Sequence, residues 1–318
     1  MRSHGADESV TAVRSAQGDH RLAHGLVADI GFHDRGAFIT KIRFLRLHQL
    51  SDGHRFMGKG DCDDDGHPLG MGVRMSGERV TERAMVEPGQ LVMPFYLVCD
   101  VSGSMAHNIA ELNDGIRRLW RAVVSEPVVD DVSRIGILTF SDSAKVVLPL
   151  SQMSWNDVPA LSAEGGTNYG AAFRLLAQTI ADDAACLKAQ GYKIYRPCVF
   201  FLTDGEPSDP DWDRTFRDTL TYDAATGRGM RAHPVFVPFG FRNASEHVLR
   251  RLAYPLGKGK WYHSKSHNVE VALRGILDVI MNSVVGSGMS VSTGQPTLFV
   301  RGPAPDSGIS SGDPDVWV

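Results

Sequence analysis

Phe95-Tyr-Leu-Val-Cys99 runs without interruption into Asp100-Val-Ser-Gly-Ser104, and that junction decides the fold. Five consecutive apolar residues read as a strand buried on both faces. The carboxylate and two hydroxyls that follow stand at alternate positions, with Gly103 between the hydroxyls, so one tight loop carries three oxygen donors. Further along come Gly165-Gly-Thr167 and a second apolar run, Val199-Phe-Phe-Leu-Thr203, which leads into Asp204-Gly-Glu-Pro207. Each piece has an ordinary explanation by itself. Asp-x-Ser-x-Ser ahead of a helix is a common N-cap, and Thr203-Asp204-Gly205 is a common turn. Their joint occurrence at two apolar strand ends, with Gly-Gly-Thr between, points to an oxygen-only divalent-cation site made of Asp100, Ser102, Ser104, Thr167 and Asp204.

The flanking sequence alternates between the two periods of regular structure. After the first motif, Ile109, Leu112, Ile116, Leu119 and Val123 recur at three- and four-residue intervals, one apolar helix face. Ile135 to Phe140 reads as the next strand. A turn at Ser141-Asp-Ser143 then brings Val146-Val-Leu148 back as an antiparallel edge. Ala172, Phe173, Leu176, Ile180 and Leu187 mark a helix after Thr167, and residues 198–203 form the fourth strand. The Pro- and Asp-rich loop 204–211 opens a helix through Phe216 and Leu220, and Val235-Phe-Val237 is a fifth strand. Ser245 opens a helix through Val248 and Leu252, and Lys260-Trp-Tyr-His263 is a short sixth strand. Val269, Leu273, Ile276, Leu277, Ile280 and Val284 lie on one face of a last helix. This alternation predicts an α/β doubly wound, Rossmann-like sheet of six mostly parallel strands with one antiparallel edge strand and helices on both faces. In the order 3-2-1-4-5-6 the first and fourth strands are neighbours across the reversal of winding, where such sheets bind ligands. Asp100 and Asp204 end those two strands.

The succession Asp-x-Ser-x-Ser, Thr, Asp resembles the metal-ion-dependent adhesion site (MIDAS) of von Willebrand factor A domains, over roughly residues 93 to 287. Glu111-Leu-Asn-Asp-Gly-Ile116, Gly191-Tyr-Lys-Ile-Tyr-Arg-Pro197 and Leu202-Thr-Asp-Gly-Glu-Pro-Ser-Asp209 are similar to the bacterial TerY-like branch associated with tellurite-resistance gene clusters. The resemblance implies that Asp100, Ser102, Ser104, Thr167 and Asp204 ligate a metal directly or through water. It also implies a metal-dependent protein-interaction module that works with a kinase, a phosphatase or Ter-type proteins. The chain departs from the family at Asn168-Tyr169, where a small apolar residue and Gly are expected after Thr167.

Hard oxygen donors without His or Cys favour Mg²⁺, with Mn²⁺ or Ca²⁺ as alternatives, over zinc or copper. Two carboxylates and three neutral hydroxyls under-neutralise the ion, so the expected partner is a protein that supplies an acidic residue. An enzyme using Mg²⁺ for phosphoryl or nucleotide chemistry is the alternative, and a subunit that pairs with a chelatase-type ATPase is a third. The sequence carries no phosphate loop, no His base placed at the motif and no Arg or Lys clamp, so no enzymatic activity is expected. Gly257-Lys-Gly-Lys260 departs from the Walker pattern and reads as a turn. His107 reads as a surface residue. Trp212 reads equally as a partner contact and as packing at a helix start. Asp61-Cys-Asp-Asp-Asp-Gly66 begins like a calcium loop, but its twelfth position is Gly72 rather than Glu.

Composition bounds the rest. A net charge of -4 leaves no basic footprint for nucleic acid. No apolar run reaches the ~20 residues of a membrane helix, and the polar start Met1-Arg-Ser-His does not read as a signal peptide. Four cysteines without paired spacing point to a reducing, cytoplasmic setting. Seven of the twelve histidines precede residue 70, where apolar periodicity is poor. Residues 1–90 therefore read as a poorly ordered N-terminal extension, or as an over-extended frame before Met71, Met75 or Met85. The von Willebrand factor A-like domain is expected over 91–287. The Gly-, Ser-, Pro- and Asp-rich residues 288–318 are expected to form a flexible tail.

Overall fold

In the computed structural model, residues 89–315 other than Asn156 are described. The chain enters at β1 (Leu91–Asp100), followed by a short 3-10 turn and α1 (Ile109–Val124), α2 (Pro127–Val132), β2 (Ser133–Phe140), β3 (Ala144–Ser151) and α3 (Tyr169–Ala189). Next come β4 (Lys193–Ile194), β5 (Cys198–Thr203), α4 (Trp212–Leu220), and a small hairpin of β6 (Tyr222–Asp223) and β7 (Arg228–Gly229). β8 (Val235–Gly240), α5 (Glu246–Leu252), β9 (Trp261–Ser264), α6 (Val269–Val291) and β10 (Ile309–Gly312) complete the described residues. Residues 1–88, read as an N-terminal extension, lie outside them.

The main sheet runs β10-β9-β8-β5-β1-β2-β3, with β4 added in parallel beside the start of β1. Its interior strands pair in parallel, and β3 is the antiparallel edge expected after the Ser141 turn. β1 shows why an unbroken apolar run was needed. Phe95, Leu97 and Cys99 belong to the core on one face, and Tyr96 and Val98 to the core on the other. Leu112, Ile116, Leu119 and Val123 of α1 close the first core with α6, and Phe173, Leu176 and Ile180 of α3 close the second. At Gly115 the two helices of the first face come so close that an added Cβ would lie 1.9 Å from Leu277 Cδ1. Only glycine fits that crossing.

Besides the β6–β7 hairpin, two strands of the main sheet exceed the six expected. β4 is only two residues long and carries no apolar alternation. β10 lies in the stretch whose composition predicts a flexible tail, and here the structure differs. α6 continues to Val291, and residues 297–301 are fixed along it by side chains of the helix itself. Ser290 Oγ accepts from Thr297 N at 2.8 Å, Ser287 Oγ from Phe299 N at 2.9 Å, and Ser283 Oγ from Arg301 N at 2.9 Å. Leu298 and Val300 pack on the first core, and β10 then pairs antiparallel with β9. Serines, usually a mark of solvated chain, act here as the hydrogen-bonding edge that a neighbouring strand would otherwise supply.

Candidate metal centre

Asp100 and Asp204 come together at the carboxyl ends of β1 and β5, which pair directly with Cys99 opposite Leu202. β2 lies on the far side of β1 and β8 on the far side of β5, so this is the point where the winding reverses. Both carboxylates are almost wholly buried, at 1% and 2% exposure. Asp100 Oδ1 accepts from Ser102 N at 2.9 Å, and its Oδ2 accepts from Thr203 Oγ1 at 2.7 Å. Ser102 Oγ lies 2.9 Å from Ser104 Oγ, which in turn donates to Asp204 Oδ1 at 2.7 Å. Four of the five expected residues are thus linked by hydrogen bonds, Asp100 through the Ser102 amide and the other three through their oxygens. Ser102 begins the 3-10 turn but makes no side-chain cap bond, so the ordinary capping explanation does not hold for its hydroxyl.

Thr167 reaches the same place through the loop ahead of α3. Gly103 N donates to Gly165 O at 2.9 Å, and Glu164 N to Val101 O at 2.7 Å, which ties that loop to the Asp100 loop. Ser208 donates to Thr167 O from both N and Oγ at 2.9 Å, which ties it to the Asp204 loop. Thr167 Oγ1 lies 4.0 Å from where a Cβ on Gly205 would stand. Asp142 Oδ1 accepts from Gly166 N at 3.0 Å, and a Cβ on Gly165, at φ 73, would lie 2.5 Å from Asp142 Oδ2. The double glycine is what admits that carboxylate.

Asn168-Tyr169, the departure from the family pattern, has a structural reason. Asn168 Oδ1 caps α3 by accepting from Ala171 N at 2.9 Å. Asp209 supplies a second cap to Tyr169 N and Gly170 N, at 2.9 and 3.0 Å. The Tyr169 ring is buried, and its hydroxyl lies 3.0 Å from Thr203 Oγ1 and 2.9 Å from Gly205 O. Tyr169 therefore supports the Asp204 turn from below and holds the hydroxyl that orients Asp100. Trp212 packs edge-on against the Tyr169 ring with centroids 6.3 Å apart, so the structure favours its packing role. His107 is exposed in the 3-10 turn.

Burial pushes the Asp100 carboxyl up to about 6, and its hydrogen bonds from Ser102 and Thr203 partly offset that rise. A cation also stands at the site, although the sequence shows no clamp near the motif. Arg242 Nη1 lies 3.4 Å from Asp204 Oδ2 and donates to Ser104 O at 2.9 Å. The only signal for it was positional: Arg242 follows the end of β8, the strand beside β5.

The donor set fits a hard divalent ion. Asp204 is bonded through the Ser104 hydroxyl to that of Ser102, whose backbone N–H holds Asp100, and the Thr167 hydroxyl makes no hydrogen bond among the described residues. No group of three or more His, Cys, Asp or Glu side chains competes as a metal site among the described residues.

Residues 95–206 match the family model described as von Willebrand factor type A domain. No curated protein matches the chain significantly. Among solved structures, the chain is similar to proximal thread matrix protein 1 from the mussel byssus, at 16% identity over 62% of this chain and 49% of that one, with a TM-score of 0.43. Another structure of that protein, with a zinc-occupied MIDAS motif, is 15% identical over 62% of this chain and 49% of that one, with a TM-score of 0.42. The pilus adhesin SpaC from Lactobacillus rhamnosus GG is 12% identical over 63% of this chain and 30% of that one, with a TM-score of 0.46. The chain spans about half or less of the length of these proteins.

Proposed function

We propose that this chain, which carries a von Willebrand factor type A domain, is a metal-dependent protein-interaction module rather than an enzyme. The observation that carries this reading is the bond from Ser104 Oγ to Asp204 Oδ1, between residues a hundred positions apart. Two buried carboxylates and their hydroxyls meet there at the surface end of the sheet, on loops fastened to one another by backbone bonds.

Asp100, Ser102, Ser104, Thr167 and Asp204 would hold the ion, with Mg²⁺ favoured and Mn²⁺ or Ca²⁺ as alternatives. When bound, the ion supplies a positive centre at the domain surface with a preference for one further anionic oxygen. The chain's own residues hold the donors ready for it. Thr203 and Ser102 N orient Asp100, Tyr169 supports the turn of Asp204, and Ser208 fixes the Thr167 loop. The partner is a protein that presents an acidic side chain, and neither nucleic acid nor membrane. Among the described residues, no helix is long and apolar enough to cross a membrane.

We place the module in the cytoplasm of a bacterial cell, in a tellurite-resistance or stress system with kinase, phosphatase or Ter-type partners. The three TerY-like stretches in the sequence support that setting.

Affinity capture from lysate tests the reading. The wild type retains a partner in Mg²⁺ and loses it in EDTA. Thr167→Ala and Asp204→Ala fold but lose it in either buffer. Capture that survives EDTA and both substitutions, or ATP hydrolysis that Asp100→Ala abolishes, overturns the proposal.

A further inference from the structure

Among the described residues, Arg242 is the only one other than glycine with a positive φ, at 54°. Glycine adopts that conformation without steric cost, whereas an L side chain crowds its own backbone there. The loop is held in place from β5, since Asn243 N donates to Asp204 O at 3.0 Å and Phe241 N to Thr203 O at 3.2 Å. The strained backbone sends the guanidinium across the ends of three elements. Nη1 donates to Ser104 O at 2.9 Å and to Asn108 Oδ1 at 3.2 Å, and it pairs with Asp204 Oδ2 at 3.4 Å. Ser104 Oγ holds the other oxygen of the same carboxylate. Asp204 is therefore engaged on both oxygens, by a hydroxyl on one and by a permanent cation on the other.

Resting on the metal reading above, we propose that Arg242 sets both the metal affinity and the ligand preference of this site. In the metal-free protein its guanidinium neutralises part of the buried carboxylate pair. In the loaded protein it stands beside the ion and repels it. A positive charge bonded to one of the ligating carboxylates would weaken a divalent ion's binding roughly tenfold even at the dielectric of bulk water, for a separation of about 6 Å. The same charge selects the ligand. Two carboxylates and one guanidinium leave one negative charge, which a divalent ion converts to one positive. A loaded site of that sign admits a carboxylate and disfavours a neutral or basic group. The Nε and Nη2 atoms of Arg242 make no hydrogen bond among the described residues, and the side chain is 35% exposed. They offer an incoming carboxylate a second anchor beside the metal.

Calorimetric titration of MnCl₂ in low-salt buffer, with four forms of the full chain, tests this. Arg242→Gln keeps a donor but loses the charge, and it binds Mn²⁺ about tenfold more tightly than wild type. Arg242→Lys keeps the charge and stays close to wild type, and Asp100→Ala binds no Mn²⁺. Melting supplies a readout independent of affinity. In EDTA, Arg242→Gln melts below wild type, and saturating Mn²⁺ raises it by more than it raises wild type. Equal or weaker Mn²⁺ binding by Arg242→Gln overturns the role of Arg242 while the silent Asp100→Ala leaves the metal reading standing. Wild-type-like binding by Asp100→Ala, or no binding by wild type, overturns both.

Discussion

At the scale of the residue, Asp100 is the group on which the site turns. Its carboxyl is buried, and burial pushes it up to about 6, from an ordinary value of 3.8. A carboxyl raised in the native state binds its proton more readily there than in the unfolded chain. Its stabilising contribution to the metal-free protein is therefore full below about pH 4 and is lost as pH rises through about 6. The whole effect is about 3 kcal/mol at most. In EDTA, the protein should melt higher at pH 5 than at pH 7.5, and Asp100→Asn should remove most of that difference. Saturating Mg²⁺ should reverse the slope for the wild type, because the ion binds only the ionised carboxylate. An EDTA melting profile identical in wild type and Asp100→Asn would show that Asp100 does not carry the raised proton affinity.

At the scale of the element, legibility followed periodicity. The faces of α1, α3 and α6 were readable because buried residues recur at helical spacing over several turns, and β1, β2, β5 and β8 because short apolar runs end in turn signals. β4 has two residues and no pattern to read. β10 and the segment before it were hidden by composition, since Gly, Ser and Pro read as solvated chain. The signal that could have found them lay on α6, where Ser283, Ser287 and Ser290 sit among apolar residues on its buried face. Ser287→Ala leaves Phe299 N without its acceptor and should cost about 1–3 kcal/mol. Each kcal/mol lowers the melting temperature by about 2–4 °C in a domain of this size. An unchanged melting temperature would mean that the segment is not held along α6.

At the scale of the whole molecule, the site is a product of strand order. Asp100, Ser102, Ser104, Thr167 and Asp204 were legible because each carries a local signal, and the order of β1 and β5 brings them to one end of the sheet. Tyr169, Thr203 and Arg242 were not, because their part depends on which strand ends stand side by side and on how deeply each side chain sits. Thr203 read as the last residue of a strand and Tyr169 as a departure, and Arg242 belongs to no motif.

As proposed, these loops bind a divalent ion through Asp100. Thermal melting at pH 7.5 in EDTA and in increasing MgCl₂ tests it most directly. Binding to the native state alone stabilises it by roughly 2.7 kcal/mol at a hundredfold excess over the dissociation constant. The wild-type melting temperature should therefore rise saturably with Mg²⁺, while Asp100→Ala stays flat. A wild-type melting temperature indifferent to Mg²⁺ and Mn²⁺, or an equal rise in Asp100→Ala, would contradict the claim.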